Sequence, residues 1–172
     1  MINILKQCLW QQFGASIDMV KNAVAMWPNG QWETSKRFFY MAYHVSVFLD
    51  YYLTIPWQNF TSPLPFTFTG PADLPVEAID DVVPNRIYDK TELLAYLDTS
   101  REKCRILISG LTEEKLCGRW IEDFNDGMDY AVLEILLYNM RHVQHHAAQL
   151  NLLLRQQIND APRWVAKAGN GL

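Results

Sequence analysis

The most informative helical segment of the chain reads Tyr138-Asn139-Met140-Arg141-His142-Val143-Gln144-His145-His146-Ala147-Ala148-Gln149-Leu150-Asn151-Leu152-Leu153-Leu154-Arg155. It holds three of the four histidines of the chain in an otherwise leucine-rich helical pattern. Because an α-helix turns by about 100° per residue, His142 and His146 share one face and lie about 6 Å apart along the axis. Ile135, Leu150 and Leu153 extend that face as an apolar seam. The pattern predicts that both imidazoles point into a helical bundle.

Hydrophobic periodicity predicts four long helices. They are expected at residues 3–26, 34–53, 89–109 and 129–157. Pro28-Asn29-Gly30 ends the first, and Asp89 with Glu92 forms a capping-box-like start for the third. A short turn of helix is expected at 112–116. Trp164, beyond the last helix, is expected to fold back against the bundle.

Residues 54–88 have a different character, because six of the eight prolines fall between Pro56 and Pro84 and no helical period is present. Loops of this length in a folded domain are usually functional or disordered. Aromatic side chains in the segment favour an ordered wall packed on the bundle, with a passive connector as the alternative. The sequence therefore predicts an all-α fold, a four-helix bundle with a long irregular crossover between helices 2 and 3, forming a single domain over residues 1–172.

The amino-acid composition argues against several classes of function. The formal net charge is −4 and lysines and arginines do not cluster, which argues against binding to nucleic acid or to an acidic membrane surface. The three cysteines, Cys8, Cys104 and Cys117, are widely spaced and form no Cys-x-x-Cys pair, so neither a disulfide framework nor a thiolate metal site is expected. The N-terminus lacks the pattern of a secretory signal, and no apolar run is long enough to span a membrane. A reducing cytoplasm is the expected location.

A third histidine, His44, lies in the middle of the aromatic face of the second predicted helix. His44, His142 and His146 would together offer three neutral nitrogen ligands to one metal ion, leaving coordination positions for water or substrate. Such an open site acts as a Lewis acid, lowers the pKa of bound water, or holds a thiol as thiolate. The competing interpretation is that His44 is a hydrogen-bonded core histidine and that the pair on the last helix arose by chance.

Three neighbouring polar residues are candidates to support this site. His145 lies on the other side of His142 and could replace His146, but it is interpreted as a flanking group. Asn139, one turn before His142, and Gln149 would hold water or substrate, or would be satisfied within the bundle. Glycine-rich phosphate loops, a Gly-x-Ser-x-Gly elbow and the Glu-x-x-His pairs of di-iron bundles are missing from the sequence.

These residues resemble the DinB-like superfamily of small four-helix-bundle metalloenzymes. The resemblance covers most of the chain and rests on the histidine in Met41-Ala42-Tyr43-His44 and on the segment from His142 to Leu150. It implies a metal triad at His44, His142 and His146, a divalent ion such as zinc, nickel or iron, and often a homodimer. Ala147-Ala148 departs from the Arg-Gly that is frequent in the family. Characterised members include thiol-dependent transferases and isomerases that use a low-molecular-weight thiol.

The leading hypothesis is a metal-dependent enzyme that directs a thiolate at a small electrophilic molecule. Trp57, Phe66 and Phe68 of the crossover would then help to shape the substrate pocket. A metal-dependent hydrolase is the alternative enzyme, and a non-catalytic metal- or ligand-binding stress protein is the alternative from another class. Because the sequence shows no clear general base beside the triad, either thiolate chemistry or the absence of catalysis is favoured over hydrolysis.

Overall fold

Helices account for most of the computed structural model, which describes residues 1–169 and 171–172. Within these residues the long helices are α1 (Ile2–Met26), α2 (Lys36–Tyr52), α3 (Lys90–Ser109) and α5 (Val132–Ile158), and α4 (Glu113–Cys117) is short. Single 3-10 turns lie at Asn29–Gln31 and Trp57–Asn59. The predicted helices are confirmed to within three residues at each end, because buried side chains recur with the helical period along each of them.

Local capping explains where two of the helices begin and end. The Asp89 side chain accepts a hydrogen bond from the backbone N–H of Glu92, and the Glu92 side chain accepts one from the Asp89 backbone N–H, so the predicted capping box starts α3. α5 ends at Asn159, whose φ of 55° places it in the left-handed conformation that asparagine tolerates. Both ends are therefore set by local sequence.

The long helices pack so that α1 and α2 each contact both α3 and α5. This places α2 beside α5, although the two helices are far apart in sequence. The shared core consists of large apolar side chains with almost no exposure; among them are Trp10, Phe13, Ile17, Phe38, Phe39, Leu49, Leu93, Leu97, Ile108 and Leu136. Among the described helices, none is both long and apolar enough to cross a membrane.

The described residues also form four short strands, so the prediction of an all-α fold with an irregular crossover was incomplete. β1 (Phe66–Phe68) pairs antiparallel with β2 (Val82–Pro84), and β3 (Arg119–Ile121) pairs antiparallel with β4 (Asp129–Ala131). Each strand has three residues, too few for the alternating pattern to stand out in the sequence. In β3 only the central Trp120 is buried, as expected for a strand with one face on the core.

The crossover, residues 54–88, is an ordered segment packed on the bundle, as expected from the aromatic residues in its sequence. The Tyr43 hydroxyl in α2 donates a hydrogen bond of 2.6 Å to the carbonyl of Leu64, and the Tyr88 hydroxyl donates one of 2.6 Å to the carbonyl of Pro65. The rings of these two tyrosines stack with centroids 5.7 Å apart. These contacts hold the crossover against α2, which is the helix that carries His44.

Candidate metal site

Three histidines from two packed helices converge at one point. His44 comes from the middle of α2, and His142 and His146 come from successive turns of α5. The Nε2 atom of His142 lies 3.0 Å from Nε2 of His44 and 3.1 Å from Nε2 of His146. One ligand nitrogen from each of the three rings lies within 4.8 Å of the others, a grouping that could hold a metal ion. The structure thus brings together the three residues that the sequence proposed as ligands.

The distances suit a metal ion. The two nitrogen pairs that include His142 are 3.0 and 3.1 Å apart, and each pair would subtend an angle of about 95° at a zinc ion bonded at about 2.0–2.1 Å. Three protein ligands leave at least one coordination position for water or substrate. The cluster also lacks cysteine, and all three cysteines of the chain are free. This donor set is typical of an open site rather than of a closed structural zinc site.

The Nδ1 atoms of two of the rings have oxygen neighbours. Asp80 Oδ2 lies 2.8 Å from Nδ1 of His44, although out of line with the ring N–H bond, and Gln149 Oε1 lies 2.7 Å from Nδ1 of His146. A nearby oxygen acceptor favours the tautomer with the proton on Nδ1 and a lone pair on Nε2. In this tautomer, His44 and His146 both direct a lone pair at Nε2 of His142.

This arrangement is unfavourable without a cation. His142 can donate one proton from Nε2, and that proton can satisfy only one of the two neighbouring lone pairs. The other lone pair is then left without a donor, in largely buried surroundings. A metal ion bound by all three nitrogens would satisfy each lone pair, so the chemistry of the donor set fits a metal.

Burial keeps two of the histidines, His142 and His146, in the neutral form that metals require. Desolvation, followed by the proximity of His146 and His44, lowers the pKa of His142 to about 3. Desolvation, followed by the proximity of His44, lowers the pKa of His146 to about 4. A metal therefore does not have to displace protons from these two rings at neutral pH.

Aromatic and sulfur-containing side chains form the wall of the site. The rings of Phe48 and Tyr52 in α2 lie 6.0 and 5.9 Å from the ring of His142, centroid to centroid. The Met41 sulfur lies 2.9 Å from Nδ1 of His146. His44 is 9% exposed and His146 is 6% exposed. His142 is less buried, and it also lines an open cavity of about 700 Å³ on the surface of α5.

The three residues that the sequence placed beside the cluster, His145, Gln149 and Asn139, lie in different environments. His145 is exposed on α5, with its ring 5.1 Å from that of His146, and it does not belong to the three-histidine cluster. Gln149 contacts His146 as described above. Asn139 is fully buried and donates a hydrogen bond of 2.9 Å to the carbonyl of Leu49. That carbonyl lies in the last turn of α2, where backbone acceptors lack helical partners, so Asn139 ties α5 to the end of α2.

The crossover aromatics proposed as pocket residues do not meet in one place. Trp57 packs edge-on against Tyr51 and Phe124 beside the β3–β4 hairpin. Phe66 and Phe68 contact each other on β1, and Phe68 is 71% exposed. Among the described residues that line the cavity at His142, none of these three aromatics is present.

Asp80 is the site residue that sequence reasoning missed. It belongs to the crossover, where one carboxylate oxygen accepts a hydrogen bond of 3.0 Å from the backbone N–H of Val82 and the other lies next to His44. Nothing local distinguishes it from the adjacent Asp81, which is exposed. The only available signal was an acidic residue just before the apolar pair Val82-Val83, within a crossover expected to pack on the bundle.

We expect Asp80→Asn to weaken zinc binding by about 10- to 100-fold, since loss of a carboxylate partner from a ligand histidine usually has an effect of this size. The amide carries no charge to stabilise the proton on Nδ1 of His44, so Nε2 becomes a poorer ligand. Competition with a coloured chelator measures the affinity. Asp81→Asn is the matched control, with the same charge change on the neighbouring exposed residue. Equal affinities for parent and Asp80→Asn would contradict this role.

Comparison of the chain with protein-family models, with curated proteins and with solved structures gave no match.

Proposed function

We propose that the protein is a metal-dependent enzyme in which His44, His142 and His146 hold a divalent ion such as zinc, nickel or iron. The observation that carries the proposal is the convergence of three Nε2 atoms, with Asp80 next to Nδ1 of His44 and Gln149 next to Nδ1 of His146. A bound ion would supply the positive charge that lowers the pKa of a thiol or water placed on its open side.

Within this proposal, we favour a transferase or isomerase that uses a low-molecular-weight thiol against a small electrophilic molecule. Thiolate chemistry needs no separate general base once the thiol has lost its proton. Asp80, the carboxylate closest to the ligands that we identify, is already engaged with His44 and with the backbone of Val82. The resemblance of the histidine segments to DinB-like proteins supports the same choice and rests on those segments alone.

The residues of the chain have distinct roles in this scheme. His142 lies between the buried cluster and the open cavity, so the substrate would approach from the side of α5. The rings of Phe48 and Tyr52 lie next to the ring of His142 and add apolar surface around the cluster. The α2–α5 contact, supported by Asn139, maintains the spacing between His44 and the other two ligands.

Metal analysis followed by a conjugation assay tests the proposal. The purified protein is expected to contain about one ion per chain and, with a panel of thiols and a generic electrophile such as chlorodinitrobenzene, to form conjugate faster than the same protein after chelation. His145→Ala is the matched control for the ligand set, because it removes a neighbouring histidine outside the cluster, and it should keep the metal. Bound metal without a rate above the chelated protein for any thiol would overturn the transferase; hydrolysis of activated esters would then indicate a hydrolase, and its absence a binding protein.

A further inference from the structure

The surface of α5 next to the three-histidine cluster contains a groove with an unusual combination of side chains. The groove is the cavity of about 700 Å³ that His142 lines. Arg141, His145 and Ala148 form its floor along α5, and Trp164 from the C-terminal segment also lines it. A ligand seated there would lie beside a metal-ligating ring.

The charge of the groove is positive. Arg141 is exposed and forms no ion pair or hydrogen bond with the described residues. No aspartate or glutamate is among the described residues that line the groove. The guanidinium is a rigid fork of N–H donors whose geometry matches a carboxylate. The polar part of the groove is therefore suited to an anion.

The C-terminal segment that carries Trp164 is attached to α1. The Ala168 backbone N–H donates a hydrogen bond of 2.9 Å to the carbonyl of Gln11, and the Gln12 side chain donates one of 3.4 Å to the carbonyl of Ala166. Gly14 permits this close approach, because a Cβ atom at that position would lie 2.6 Å from Cβ of Ala168. Trp164 is nevertheless 68% exposed. It offers a large apolar face to whatever occupies the groove.

We propose that this groove binds an aromatic or other flat carboxylate, with the carboxylate on Arg141 and the apolar body against Trp164. The catalytic role of this groove rests on the proposed function, since its ligand would be the electrophilic substrate of the metal-dependent reaction. Binding itself does not require the metal, because neither Arg141 nor Trp164 belongs to the cluster. The groove therefore predicts a substrate with a negative charge and a flat apolar body, whereas the three histidines alone do not indicate the chemical class of the substrate.

Titration with benzoate tests the groove, and uncharged benzamide is the matched ligand. Binding is followed through the indole N–H resonance of Trp164, assigned by its loss in Trp164→Phe. Benzoate is expected to shift this resonance and to bind more tightly than benzamide. Arg141→Gln should weaken benzoate binding by about five- to tenfold, as for a lost charge-assisted hydrogen bond, and leave benzamide unchanged. Arg155→Gln, with the same charge change on the same helix outside the groove, should have no effect.

Equal binding of benzoate and benzamide, or equal effects of Arg141→Gln and Arg155→Gln, would overturn the proposal, as would an unshifted Trp164 resonance at saturation. The titration is repeated on chelated and zinc-loaded protein. Benzoate binding that persists after chelation supports the groove even if the conjugation assay fails. Metal-dependent turnover without selective benzoate binding would overturn the groove and leave the proposed function standing.

Discussion

Zinc should raise the melting temperature of the metal-free protein by about 10 °C. At a free concentration a thousand times its Kd, a ligand that binds only the folded state adds about 4 kcal/mol to the free energy of unfolding. A domain of this size gains about 2–4 °C per kcal/mol. The three Nε2 atoms already lie 3.0–3.1 Å apart across His142, so little rearrangement has to precede binding.

Variants of the cluster make this prediction specific. His44→Ala and His142→Ala should each lose most of the zinc-induced shift, because two nitrogens cannot hold the ion as three do. His142→Ala also removes the ring toward which both neighbouring lone pairs are directed, so we expect its metal-free melting temperature to stay close to that of the parent. His145→Ala is the matched control, an exposed histidine on the same helix, and should keep the full shift. Differential scanning fluorimetry with and without zinc measures all four proteins. An equal loss in His145→Ala would contradict the assignment of the ligands.

Asp50→Ala should lower the free energy of unfolding by about 3 kcal/mol. Asp50 is buried at the end of α2, where its carboxylate accepts hydrogen bonds from Lys103 Nζ at 2.5 Å and from the Tyr96 hydroxyl at 3.0 Å. Removing one member of a buried ion pair costs about 3–5 kcal/mol, because the other charge is left without compensation. We expect the lower end of this range, since Lys103 is partly exposed and can reach water.

Loss of the Asp50 carboxylate would also weaken the C-terminal end of α2. The Lys103 ammonium donates to the backbone carbonyl of Asp50 at 3.2 Å and to the hydroxyl of Thr54 at 2.5 Å, so the carboxylate holds a cation that caps the C-terminus of α2. Chemical denaturation measures the change. Asp98→Ala is the matched control, because Asp98 pairs with Lys21 on the surface, and such pairs contribute about 0–1 kcal/mol. Similar losses in the two variants would contradict the role assigned to the buried network.

The helices and two of the three histidines of the cluster were predictable because their signals are local. Apolar side chains repeated every three or four residues mark α1, α2, α3 and α5. Asp89 and Glu92 mark the start of α3 within four residues of chain. His142 and His146 lie one turn apart, so the geometry of a single helix already places them side by side. None of these features depends on how the helices pack.

The strands and the crossover aromatics were not predictable in this way. The pairing of Phe66–Phe68 with Val82–Pro84 joins two three-residue segments across a loop, and neither segment is long enough to reveal a period of two. The sequence grouped Trp57 with Phe66 and Phe68 because all three are large and apolar. The crossover instead carries Trp57 to the β3–β4 hairpin and leaves Phe68 mostly exposed, since the path of a loop depends on its tertiary contacts.

A mainly helical chain and a histidine pair on the last long helix follow from the sequence alone, because periodicity and the i, i+4 spacing are properties of a single helix. The sequence also indicated His44 as a partner. That His44 meets the pair depends on helix packing, because the contact requires α2 to pack on α5 at one particular register. The position of Asp80, rather than Asp81, next to His44 likewise depends on tertiary packing. A carboxylate on a loop has no period to reveal its direction, and only the docking of the crossover on α2 fixes it.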